Sequence, residues 1–141
     1  MSTKAARRAL VLIWFGFFLL NLAVVVWLHM RQLIERDSFL AAAQELNSLY
    51  APYLGAIALF FFGTKRGPQG NGPRTNIAAA LAVSSSLVWN LVVFAFIGRL
   101  VFQGVIEDSI DDVRFFGGLL TWLPAAAIGY FFGASALQPG G

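Results

Sequence analysis

Cysteine is absent from the 141 residues, which removes disulfides, thiolate nucleophiles and thiolate metal sites together and leaves the redox compartment unreadable. Charge is scarce: Asp, Glu, Lys and Arg make up 12% of the chain, against the roughly 25% that a soluble domain carries. His29 is the one histidine, so a single chain cannot supply paired axial haem ligands or an H-E-x-x-H zinc site; an interfacial polar position explains it better than a pH-sensing one. No G-x-S-x-G elbow occurs, and the glycines between Gly67 and Pro73 lack the Lys-Ser/Thr ending of a phosphate-binding loop. No Asp, Glu, Lys, Arg or His lies near the middle of any long apolar run, where such groups are costly and mark functional sites by default. These absences argue against a proton relay, a coupled antiporter and an acid-base catalyst within the membrane, and the chain is expected to be no enzyme and to carry no cofactor or metal. The net charge of +3 comes from basic residues spread along the chain, without the patch or stripe that nucleic acid requires.

What the sequence does have is apolar side chains, 58% of the total, blocked into stretches near the 20 residues that cross about 30 Å of hydrocarbon. The lipid bilayer is therefore the expected solvent. The first run, Ala9 to Leu28, follows Lys4, Arg7 and Arg8 and is too long for the core of a signal peptide, so it reads as a retained anchor helix. The second, Leu46 to Gly63, begins with polar Asn47 and Ser48 and then turns fully apolar. Thr64 to Asn76 holds five Gly or Pro residues with Lys65, Arg66 and Arg74, a composition that stops helices. The third run covers Ile77 to Ile97, and the fourth Phe115 to Gly133, with a kink expected at Pro124, whose ring removes a backbone donor.

The expected fold is all-α: a polytopic membrane protein whose four transmembrane helices form two consecutive hairpins in one membrane-embedded domain, residues 1–141. Hairpin one is 8–63, a cytoplasmic loop 64–76, hairpin two 77–133 and a short tail 134–141. Lys and Arg favour the N-terminal segment and the central loop, which places both termini in the cytoplasm, across a cell inner or plasma membrane. Offsets of 69 and 70 residues lay Asn21-Leu22-Ala23-Val24 over Asn90-Leu91-Val92-Val93 and Phe60-Phe61-Phe62-Gly63 over Tyr130-Phe131-Phe132-Gly133. A repeat of this kind is parallel, with its axis along the membrane normal; chance similarity among common membrane residues is the alternative. Phe39, Ala43, Leu46, Tyr50 and Tyr53 recur at helical spacing without a break into the second run. With Asp37 or Ser38 as N-cap, this helix would reach Gly63 after about 39 Å and project beyond the hydrocarbon. Ile106, Ile110 and Val113 give a shorter pattern of the same kind, and the two projections could pack into a cap.

Three groups of residues are candidates for a site. Asn21, Asn76, Ser86 and Asn90, with Ala80 and Val83, form a polar and small face; it reads as interhelix hydrogen bonding or as the lining of a pore. Gly55, Gly63, Ala125, Gly129 and Gly133 make a small-residue packing stripe that admits a close neighbour, from this chain or another. Glu107, Asp108, Asp111 and Asp112 form an acidic outer loop with like charges at i, i+4, either a solvated face or a cation-attracting mouth. The functional expectation is a non-enzymatic scaffold or accessory subunit of a membrane complex, acting through helix packing and self-association with copies of itself or other membrane subunits. The alternative is a homo-oligomeric pore, channel or membrane-permeabilising effector, and a weaker one a small solute transporter.

Overall fold

The computed structural model describes residues 3–63, 73–103 and 106–136, with side chains for 5–59, 76–99, 101 and 110–131. These residues form five helices and no strand: α1 (Thr3–Met30), α2 (Arg36–Gly63), α3 (Pro73–Gln103), α4 (Ile106–Leu119) and α5 (Trp122–Ala136). The fold is therefore all-helical. Two helices are long and apolar enough to cross a membrane, over Ala5–Met30 and Asn76–Arg99. They differ from core helices of a water-soluble protein in that only 22% and 33% of their apolar windows are buried. Leu12, Leu19, Trp27, Leu81, Val88 and Leu91 face outward, so α1 and α3 are apolar all round, as a helix with hydrocarbon on its outer side is.

The helices begin and end where local chemistry allows. α3 starts four residues before Ile77, at Pro73, because proline at the first helical position loses no hydrogen bond and already holds a helical φ. α2 starts at Arg36, slightly ahead of the expected caps, with the Phe39 amide bonded to the Glu35 carbonyl at 2.9 Å. Its 28 residues give a length of about 42 Å. Between α1 and α2 the Leu33 amide reaches the Leu28 carbonyl at 3.0 Å and the Gln32 amide the His29 carbonyl at 2.9 Å. This pair of bonds is a Schellman ending, and it places Gln32 at φ 56°, where glycine is usual.

The fourth apolar run is not one kinked helix. α4 ends at Leu119 and α5 begins at Trp122, because Pro124 has no N–H for the Leu120 carbonyl and its ring would collide with that oxygen. The Leu120 carbonyl instead accepts from the Leu123 amide at 3.1 Å. Pro124 then falls in the first turn of α5, where it is tolerated.

Contacts fix the directions of the helices. His29 stacks on Phe39 and Trp14 on Tyr53, so α1 and α2 run antiparallel. Arg99 meets Asp112 and Phe96 stacks on Phe116, so α3 and α4 do too. Trp14 bonds Ser86 and Phe17 meets Phe94, which lays α1 beside α3 in the same direction. Glu45 meets Arg114, and Tyr53 meets Thr121, which does the same for α2 and α4. α2 and α4 pack directly on each other, with Leu49 against Gly117, inside the second and fourth apolar runs.

Candidate functional site

The buried interior carries a polar and aromatic cluster at mid-height. One stripe of α1 supplies Leu10, Trp14, Asn21 and Val25, all fully buried, and α3 supplies Ala82, Ser86, Trp89, Asn90 and Val93. α2 adds Leu46, Tyr50, Tyr53 and Ile57, the amphipathic face visible in its sequence. Most of its polar side chains find a donor or acceptor on a different helix. Asn21 Nδ2 donates to the Tyr50 hydroxyl at 3.0 Å, and that hydroxyl donates to Asn90 Oδ1 at 2.9 Å. Asn90 Nδ2 donates to the Ser86 carbonyl at 2.8 Å, and Trp14 Nε1 to Ser86 Oγ at 3.1 Å. In a medium without water an unmet amide costs several kcal/mol, of the order of 2–7, so this chain of bonds ties α1, α2 and α3 at one level. Asn21 Oδ1 alone in the cluster is buried and has no partner.

Four rings pack around these bonds. Trp14 stacks on Tyr53 with centroids 4.2 Å apart and on Trp89 at 5.0 Å. Tyr50 stands edge-on to Trp14 at 5.8 Å and to Trp89 at 5.2 Å, the geometry that ring quadrupoles favour. The polar tips of the outer two rings turn to the break between α4 and α5. Trp89 Nε1 donates to the Gly117 carbonyl at 3.0 Å and the Tyr53 hydroxyl to the Thr121 carbonyl at 2.6 Å.

The four asparagine and serine candidates divide three to one. Asn21, Ser86 and Asn90 meet in this cluster, whereas Asn76 is exposed at the start of α3. Ala80, also counted on that face, is exposed, because it lies about 120° around the helix from Ser86 at 3.6 residues per turn. Of the serine run, Ser84 and Ser85 return their hydroxyls to the carbonyls of Ala80 and Ala82. In the small-residue stripe, Gly55, Ala125 and Gly129 are exposed, and nothing lies within 4 Å of a Cβ built on either glycine. Gly63 ends α2 and Gly133 lies in the last turn of α5, and the surroundings of both fall outside the described side chains. Among the glycines whose surroundings are described, the close approach is at Gly117, where a Cβ would stand 3.1 Å from Leu49 Cδ1.

Glu107 and Asp108 lie in α4 with side chains outside those described. Asp112 pairs with Arg99 at 2.7 Å, and Arg114 takes Glu45 at 3.0 Å and Asp111 at 3.8 Å. Two arginines thus sit among the acids and moderate the repulsion along α4. His29 rests against Phe39 with Nδ1 3.4 Å from the Ile34 carbonyl, closing the α1–α2 turn. Among the described residues no group of three or more His, Cys, Asp or Glu is placed to hold a metal ion.

Sequence reading missed Tyr50, Trp14, Trp89 and Gly117 as members of the cluster. The available signal was weak: aromatic side chains with a polar tip, set in apolar runs at the depth of the asparagines. No protein-family model, curated protein or solved structure matches the chain.

Proposed function

We propose that this protein is a four-span, non-catalytic membrane subunit that scaffolds a complex or self-associates through its outward helix faces. The observation that carries this reading is the fate of the polar groups at depth. Asn21, Tyr50, Asn90, Ser86 and Trp14 bond to one another inside one chain, as structural joints do, and the outward faces of α1, α3 and α5 are left apolar. A pore would need those same groups at its lining, so their enclosure favours the subunit over the channel. α2 and the α4–α5 pair run alongside the two long apolar helices in alternating directions, which supports four crossings with both termini on one side; the Lys and Arg of the N-terminal segment and the central loop make that side the cytoplasm. Three of the cross-hairpin bonds join residues 68, 69 and 72 apart, close to the offset at which the two halves of the sequence resemble each other and in keeping with a parallel repeat, while the Tyr50–Asn90 bond joins residues 40 apart.

The test is mass and silence together. In mild detergent, light scattering should give an assembly heavier than one chain, and Gly129→Leu with Gly133→Leu should reduce it; a monomer at every concentration overturns self-association. Reconstituted in liposomes at high loading, the protein should conduct no ions, and steady conductance altered by Asn90→Leu would restore the pore. An impermeant thiol reagent outside the cell should label Asp111→Cys and spare Gln69→Cys.

A further inference from the structure

The break between α4 and α5 is held by groups that belong to other helices. Gly117 and Gly118 precede it, and Pro124 follows it, so this stretch has weak helical preference and one missing amide donor. Its carbonyls are nonetheless met. Gly117 O accepts from Trp89 Nε1 on α3 at 3.0 Å and from Thr121 Oγ1 at 2.6 Å. Gly118 O accepts from the Thr121 amide at 3.2 Å. Thr121 O accepts from the Tyr53 hydroxyl on α2 at 2.6 Å and from the Ala125 amide at 3.2 Å. The two side chains that reach across, Tyr53 and Trp89, are both stacked on one ring of α1, that of Trp14. The geometry of the break is therefore set by side chains of α2 and α3, backed by a ring of α1, in addition to its own backbone bonds.

We propose that residues 117–121 are a latched hinge: Tyr53 and Trp89 hold the α4–α5 angle by their bonds to Thr121 and Gly117, and Trp14 couples the two latches to α1. A shift of α1 against α3 moves the ring that backs both donors and releases α5 from α4. Such a device would work equally in an isolated chain and within a complex, since all its parts lie in one protomer.

The full chain in lipid nanodiscs, with nitroxides on Asp111→Cys and Tyr130→Cys, measures the hinge directly; both positions are exposed and no native cysteine competes. The otherwise unaltered sequence should give one narrow interlabel distance. Tyr53→Phe and Trp89→Phe should each add a second, and amide exchange across 117–123 should accelerate roughly fivefold in either variant and more in the pair. Exchange in α1 and α3 should stay unchanged. One unaltered distance with unaltered exchange in the double variant overturns the hinge. Exchange rising equally through every helix overturns it as well, because the two side chains would then hold the whole bundle. If the double variant does not fold, Tyr53→Phe, which deletes one oxygen atom, decides by the same two readouts.

Discussion

At mid-height the Tyr50 hydroxyl holds two amides at 3.0 and 2.9 Å with all three residues out of contact with solvent. At the end where α1 turns into α2, Arg99 and Arg114 hold carboxylates at 2.7 and 3.0 Å with 45% and 64% of their own side chains exposed. The distances are alike and the energetics are not. An exposed ion pair gains little, because water and salt screen it and two long side chains must be ordered to make it. A neutral bond inside the bundle has no water to compete with it, and a broken one leaves a buried group unmet. Stability should therefore depend on the uncharged cluster far more than on the charged end.

Tyr50→Phe should have the largest effect. It keeps the ring and strands Asn21 Nδ2 and Asn90 Oδ1 together, and should cost about 2 kcal/mol, less than two such losses in a soluble core because a membrane-held unfolded chain also finds partners. Thermal or steric-trap unfolding in detergent measures it; a loss within error would place the cluster on a par with the ion pairs.

The two asparagines, equivalent in the sequence offset, should separate. Asn90→Leu removes the acceptor of Tyr50 and should cost about 1 kcal/mol more than Asn21→Leu, since Asn21 also carries an unpaired buried oxygen that its replacement removes. Equal costs would argue that the cluster does not distinguish the hairpins.

Gln32→Gly should act in the other direction, raising stability by about 0.5–1 kcal/mol, because it relieves a side chain held at positive φ in the Schellman turn. The smallest effect belongs to the charged end. Arg99→Ala should change stability by a few tenths of a kcal/mol, roughly 0.2–1, and the change should vanish in high salt; a salt-independent loss as large as that of Tyr50→Phe would erase the contrast between the two regions.

Much of the helical layout was legible because it follows from chain-local rules. Apolar blocks located α1 and α3, and the spacing of Leu46, Tyr50 and Tyr53 gave the inward face of α2; of the loop expected over 64–76, residues 73–76 are helical and the rest lie outside the described residues. The rest depended on angle and neighbour. Asn76 and Ala80 were grouped with Ser86 because small and polar residues recur there, yet the drift of a 3.6-residue helix carries them to the outside. Among the glycines with described surroundings the one at a close contact is Gly117, which forms no stripe, whereas Gly55 and Gly129 have open space beside them.

The sequence by itself determined that this chain is helical, where its long apolar helices lie, and that the fourth apolar run is irregular at Pro124, since periodicity, apolar run length and a missing amide are properties of the local chain; that the irregularity is a full break between α4 and α5 came from the structure. Only the tertiary structure decided that Tyr50 joins Asn21 to Asn90, and that Trp89 and Tyr53 meet the carbonyls freed near Pro124. A hydrogen bond between helices depends on their relative rotation and height, and side-chain order along the chain does not contain either quantity.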